Sequence, residues 1–317
     1  MQRCVCAVYL SLACLIGLVF PACSEEPVPL RDAIPVLDAR LENAHRLTDK
    51  VLTGAEPHGE QAFQALKDLG VKTVISVDGA SPDVETARKF GLRYVHLPIG
   101  YDGVPVERGK ELAKAITELD GPIYVHCHHG KHRGPAAAVV ACVVAHALTN
   151  DEAIAAMKTL GTGENYLGLW QSARTAKPAG AEELKNLKVE YRSISPIPPL
   201  AEAMVKVDET VELLSKCQQA GWKQPKNNPD LDPAHEALKL SEIFTEIART
   251  NEHKQRPENY KGWMSESAEI AKVLETRLRD FNENKPEITP GKIDAIYASL
   301  QNNCKACHKS YRNTKLK

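Results

Sequence analysis

The hydrophobic period changes once along this chain, near residue 176, and the change divides it into two architectures. Between about 52 and 173, short β-branched runs alternate with amphipathic segments. Thr73-Val74-Ile75-Ser76-Val77, Arg93-Tyr94-Val95-His96-Leu97 and Pro122–His126 read as strands, whereas Glu60–Leu69, Arg108–Leu119, Pro135–Leu148 and Asn150–Leu160 read as helices. Strands separated by helices predict a parallel-type α/β sheet sandwiched by helices. After residue 199 the strand signal stops. Met204, Val207, Val211 and Leu214 open a run of three-four spacings. Leu240, Phe244 and Ile247 continue it, then Met264, Ala271, Leu274, Leu278 and Phe281, and finally Ile293, Ile296 and Leu300. Thr289-Pro290 is a good start for the last of them, with Pro at the first helical position. Four such helices predict an all-α four-helix bundle.

The ends and joints follow from composition. Arg3, an apolar run from Val5 to Phe20, then Pro21-Ala22-Cys23 and Ser24-Glu25-Glu26 read as a secretory signal over 1–24. The chain is therefore expected in the periplasm or on the outer face of a membrane. Cys23 sits where a lipoprotein signal places its lipidated cysteine, which would give a membrane tether. Phe20 and Pro21 fit that pattern poorly, and cleavage by the general signal peptidase is the alternative. Residues 25–50 read as a tether and 51–175 as the α/β domain. The Pro- and Gly-bracketed stretch 176–198 reads as a linker, leaving 199–317 for the bundle. Lys+Arg 40 against Asp+Glu 41 leaves no basic excess, which argues against a nucleic-acid partner. Cys127, Cys142 and Cys217 show no framework spacing, so a disulfide scaffold is not expected.

Cys304-Lys305-Ala306-Cys307-His308 is C-x-x-C-H, the attachment pattern for c-type haem. Two thiols one helical turn apart reach two vinyl groups, and the adjacent imidazole reaches the iron. A redox cysteine pair would sit beside a βαβ unit, and a zinc site would need a second pair of ligands nearby; the sequence offers neither. One covalent haem c is expected, which again requires export. With Lys309-Ser310-Tyr311-Arg312 following on the last of four helices, residues 199–317 resemble cytochrome c prime and its low-spin relatives. The resemblance implies Cys304 and Cys307 as covalent haem sites, His308 as axial ligand and Arg312 near the haem. It makes Met204, on the first helix, a candidate sixth ligand. An open iron site would bind a gas such as NO, whereas Met/His ligation would favour electron transfer with a redox partner protein. A core methionine is the other reading of Met204.

Val125-His126-Cys127-His128-His129-Gly130-Lys131-His132-Arg133 ends a predicted strand and opens a helix. His-Cys-x5-Arg at that junction resembles the phosphate loop of tyrosine and dual-specificity phosphatases. Gly70–Ile75 upstream and Asn165–Leu169 downstream extend the likeness over about 50–174. The resemblance implies that the backbone N–H groups from His128, His129, Gly130, Lys131, His132 and Arg133 surround a phosphate at a helix N-terminus. The helix dipole favours the thiolate of Cys127, which attacks phosphorus, while Arg133 clasps the equatorial oxygens. A general acid is expected upstream. Asp102, in Leu97–Gly103, is the first candidate, with Asp78 and Asp83 behind it. Gly134 departs from the family, which places Ser or Thr there to help the cysteine leave. The histidines His126, His128, His129 and His132 raise a metal reading, but imidazoles beside a phosphate more often supply positive charge. A rhodanese-like sulfur carrier would lack the His-Cys and x5-Arg pairing.

Two functions are therefore expected to compete. One is an exported cysteine-dependent phosphatase of a phosphorylated substrate, fused to a haem domain for electron transfer or for redox or gas sensing through the oxidisable Cys127. The other is an electron-transfer or gas-binding cytochrome whose α/β domain is a catalytically idle phosphate-binding module.

Overall fold

The computed structural model describes residues 32–313. The expected signal segment and Cys23 lie outside the described residues. Six strands form one sheet in the order β1-β2-β3-β6-β4-β5. They are β1 (Ile34–Pro35), β2 (His45–Arg46), β3 (Val51–Ala55), β4 (Thr73–Ser76), β5 (Arg93–His96) and β6 (Ile123–Cys127). The last four are parallel, as predicted from their helical crossovers, and β1 and β2 add an antiparallel edge. The expected tether was therefore drawn too long. Ala33, Leu41, Ala44 and Leu47 are buried, and they fold this segment onto the sheet.

Side chains alternate across the pleat of β6. Ile123, Val125 and Cys127 face one core, shared with α3 (Val106–Glu118), α4 (Arg133–Val144), α5 (Asn150–Thr159) and α6 (Leu167–Thr175). Tyr124 faces the other core, shared with α1 (Gly59–Asp68) and α2 (Val84–Lys89). Every residue of α4 is buried, so the helix that follows the Cys127–Arg133 loop is clamped on all sides. Thr149 and Glu152 form a reciprocal capping box at the start of α5.

The expected linker also proves to be docked. It contains α7 (Ala181–Asn186), whose Leu184 is buried and whose carbonyls at Leu184 and Lys185 accept from Lys114 Nζ. Farther along, His96 N–H donates to Arg192 O at 2.8 Å, and Ser195 N–H donates to His96 Nδ1 at 3.1 Å. An extended segment thus runs beside β5.

The helical half comprises α8 (Pro199–Gln219), α9 (Pro233–Arg249), the short α10 (Asn251–Lys254), α11 (Glu258–Asn282) and α12 (Pro290–Tyr311). The four long helices surround their own core, built from Val207, Leu214, Leu240, Phe244, Leu274, Leu278, Ile293 and Leu300 among others. Tyr297 of α12 closes the ring against α8, its hydroxyl donating to Val211 O at 2.9 Å. Pro290 opens α12 as expected, but the Thr289 hydroxyl caps nothing. Among the described residues, no helix is long and apolar enough to cross a membrane.

Candidate active site

Cys127 is the last residue of β6, and Arg133 is the first of α4. The five residues between them turn around the sulfur, held from outside through their carbonyls. Glu56 N–H donates to His128 O at 3.0 Å, Asn43 Nδ2 to Gly130 O at 2.7 Å, and Thr162 Oγ1 to Lys131 O at 2.7 Å. Gly163 N–H donates to His132 Nδ1 at 3.2 Å. Gly130 has φ +64° and packs so closely on Gly54 and Ala55 that any Cβ would strike their backbone. Only glycine meets both conditions.

With its carbonyls taken outside, the loop's donors are left over. Among the described residues, the backbone N–H groups of His129, Gly130, Lys131, His132 and Arg133 find no acceptor. The buried Nε of Arg133 has no partner either. Unpaired donors cost free energy unless water or a ligand satisfies them, and these lie between the end of β6 and the N-terminus of α4. Such an arrangement at a helix N-terminus is chemically suited to hold an anion near Cys127.

Arg133 is fixed by two neighbours. Its NH2 donates to Asp78 Oδ2 at 3.0 Å, and its guanidinium lies 4.3 Å from the centre of the Tyr101 ring. Asp78 Oδ2 also accepts from His128 N–H at 2.6 Å, and its Oδ1 from Gly79 N–H. Burial opposes charge on Asp78, yet the Arg133 guanidinium and these amides hold its carboxyl below the ordinary range. Asp78 is therefore an ionised anchor of the loop, a role its sequence context did not reveal. Asp83 caps α2 through Thr86 N–H. Asp102 turns its carboxylate back over Gly100, and among the described residues it makes no hydrogen bond or ion pair. A Cβ at Gly134 would stand 3.4 Å from Cys127 Sγ and 3.0 Å from the Cys127 backbone nitrogen. The side chain that this chain lacks would thus face the sulfur.

The histidines divide by environment. His126 is fully buried against the Tyr94 hydroxyl at 2.6 Å, and burial lowers its imidazole to about 4. Burial also brings His132 to about 4, and its ring packs 4.3 Å from that of Tyr166. His128 moves the other way, to about 9, chiefly through Glu56. Lys131 is exposed.

No family model matches the chain, and no curated protein matches it. Solved structures resemble part of it. TpbA of P. aeruginosa matches at 24% identity over 48% of this chain and 93% of its own, with a TM-score of 0.40. A DUF442 protein from Shewanella putrefaciens CN-32 matches at 19% identity over 44% and 95%, with a TM-score of 0.36. The core catalytic domain of the PP-IP phosphatase SIW14 from S. cerevisiae matches at 13% identity over 46% and 90%, with a TM-score of 0.39. Each of these matches spans about half of the chain.

Cys304, Cys307 and His308 lie together on α12, with both thiols free. Burial lowers the His308 imidazole to about 4, with help from Arg312, so it stands neutral as an iron ligand must. Two free thiols one turn apart beside a neutral imidazole are a donor set that fits a covalent haem. Met204 packs half-buried against the same core. Arg312, four residues beyond His308, crosses to the α/β half. Its guanidinium covers the Tyr101 ring at 4.4 Å, and its NH2 donates to Tyr166 Oη at 3.3 Å. Tyr101 thus carries two guanidinium groups, from Arg133 and Arg312.

Proposed function

We propose that this chain is an exported, cysteine-dependent phosphatase of phosphate monoesters, coupled to a c-type haem. The observation that carries the phosphatase reading is the set of unpaired loop N–H groups and the unpaired Arg133 Nε around Cys127. Those donors match the equatorial oxygens of a phosphoryl group in transfer, where preorganised donors contribute most to rate. Cys127 attacks phosphorus, a phosphoryl–sulfur bond forms as the ester oxygen departs, and water then releases phosphate from the sulfur. Asp102 is the candidate to protonate the leaving oxygen after its loop turns inward.

Cys304 and Cys307 would hold the haem and His308 its iron. The group would supply a redox couple or a gas-binding site. Coupling rests on Arg312, which follows the haem motif and shares Tyr101 with Arg133. Export rests on the signal-like segment and on the compartment in which haem is attached.

A second reading, an idle phosphate-binding module on a cytochrome, draws on the Asp102 carboxylate folded over Gly100 and on Gly134. Hydrolysis of p-nitrophenyl phosphate by the full chain separates the two. The phosphatase reading expects turnover that Cys127→Ser removes, and equal background rates would leave the idle module. Rates that stay identical with the haem oxidised, reduced and NO-bound would sink the coupling alone.

A further inference from the structure

The outer rim of the loop meets α8 through the side chains of two of its own histidines. Asp208 and Glu212 stand four residues apart on α8 and so share one face. Glu212 Oε1 lies 3.3 Å from His128 Nε2 and 3.1 Å from His129 Nε2, while Asp208 Oδ2 lies 4.0 Å from His129 Nε2. One donor atom from each of the four residues lies within 4.8 Å of all the others. We propose that His128, His129, Asp208 and Glu212 bind one zinc-class divalent ion, which ties α8 to the phosphate loop.

Three observations support the assignment. The first is spacing. Zinc holds nitrogen and oxygen at about 2.0–2.1 Å in a tetrahedron, so its donor atoms stand roughly 3.3–3.4 Å apart. Separations of 3.1 and 3.3 Å already stand near it, while the 4.0 Å separation and the remaining pairs, all within 4.8 Å, would close on binding. The second is an orphan. Glu212 Oε1 is shielded from solvent and, despite two imidazole neighbours, makes no hydrogen bond. The third lies behind the donors. Glu56 Oε2 faces His128 Nδ1 at 3.4 Å. A carboxylate behind a ligating imidazole accepts from its Nδ1–H and so leaves the Nε2 lone pair for the metal. Two imidazoles and two carboxylates suit zinc better than calcium or magnesium, which prefer all-oxygen shells.

The site stands whether or not the loop is catalytic. Its consequence is mechanical, because two consecutive loop residues would be fixed to a helix of the haem-motif half.

The test uses the full chain, stripped with EDTA and desalted, then titrated with zinc chloride by calorimetry. Elemental analysis counts zinc and iron separately, so haem does not interfere. The expected result is one zinc per chain, with affinity falling at least about 100-fold in Asp208→Asn/Glu212→Gln and about 10-fold in Glu56→Gln. Zinc should also raise the melting temperature of the wild type and not of the double variant. If the double variant does not fold, Glu212→Gln alone carries the comparison. Wild type that binds no zinc overturns the proposal. So does zinc bound equally by the variants, which would place it elsewhere, for example on Cys304 and Cys307.

Discussion

Asp78 shows how much of a phosphate loop is built by residues outside it. One carboxylate, 2% exposed, takes the first loop amide and the buried Arg133 guanidinium together. Removing one partner of such a pair leaves the other charge buried and uncompensated, at a cost of about 3–5 kcal/mol. Asp78→Asn should therefore lower the stability of the α/β half by about that amount in urea denaturation. A loss below about 1 kcal/mol would mean that water replaces the carboxylate. Cys127 and Arg133 were legible in the sequence as the two ends of a strand–loop–helix turn, which the structure places at the end of β6 and the start of α4. Asp78, Asn43 and Tyr101 were not, because their roles come from approaches across 50, 87 and 32 positions that no local pattern records. His128 and His129 were visible as residues, but their acidic partners on α8 became visible only when the two halves met.

The secondary elements followed the sequence wherever period decided them. Thr73–Ser76, Arg93–His96 and Ile123–Cys127 are strands, and the four long helices fall on the predicted apolar stripes. The two joints were misjudged for a common reason. Residues 33–47, with Pro35, and 179–195, with Gly180, show no helix or strand period, and each is anchored by a few buried side chains and backbone bonds rather than by a periodic face. Ser195 and His96 illustrate the second joint. His96 Nε2–H donates to Asp78 O and its Nδ1 accepts from Ser195 N–H, a pattern only the neutral imidazole can make. Burial holds the His96 imidazole below its ordinary value of 6.5. A group whose folded pKa is lowered in this way contributes stability that is present above about 6.5 and lost as pH falls through the lowered value. Hydrogen exchange corrected for intrinsic rate should show the Ser195 amide protected at pH 7.5 and released near pH 5. Equal protection at both pH values would remove His96 as the latch.

Among the described residues, the helical half touches the His128–Arg133 loop through Asp208 and Glu212 and covers Tyr101, beside Arg133, through Arg312. A guanidinium over an aromatic ring contributes about 0.5–2 kcal/mol, so Arg312→Ala should loosen Tyr101 and, with it, Arg133. Inhibition by inorganic phosphate should weaken roughly 2- to 10-fold while haem content stays unchanged. An unaltered inhibition constant would mean that the contact is only packing. The central claim, however, is the chemistry at Cys127, and a rapid-quench experiment examines it directly. With Gly134 in place of a hydroxyl residue beside the sulfur, breakdown of the phosphoenzyme should be the slow step. Acid-quenched full-length protein, mixed with p-nitrophenyl phosphate and read by peptide mass spectrometry, should carry a phosphoryl group on Cys127 at near-stoichiometric level during turnover. The level should drop in Gly134→Ser. Turnover with no phosphoryl group on Cys127 at any time point would contradict the account.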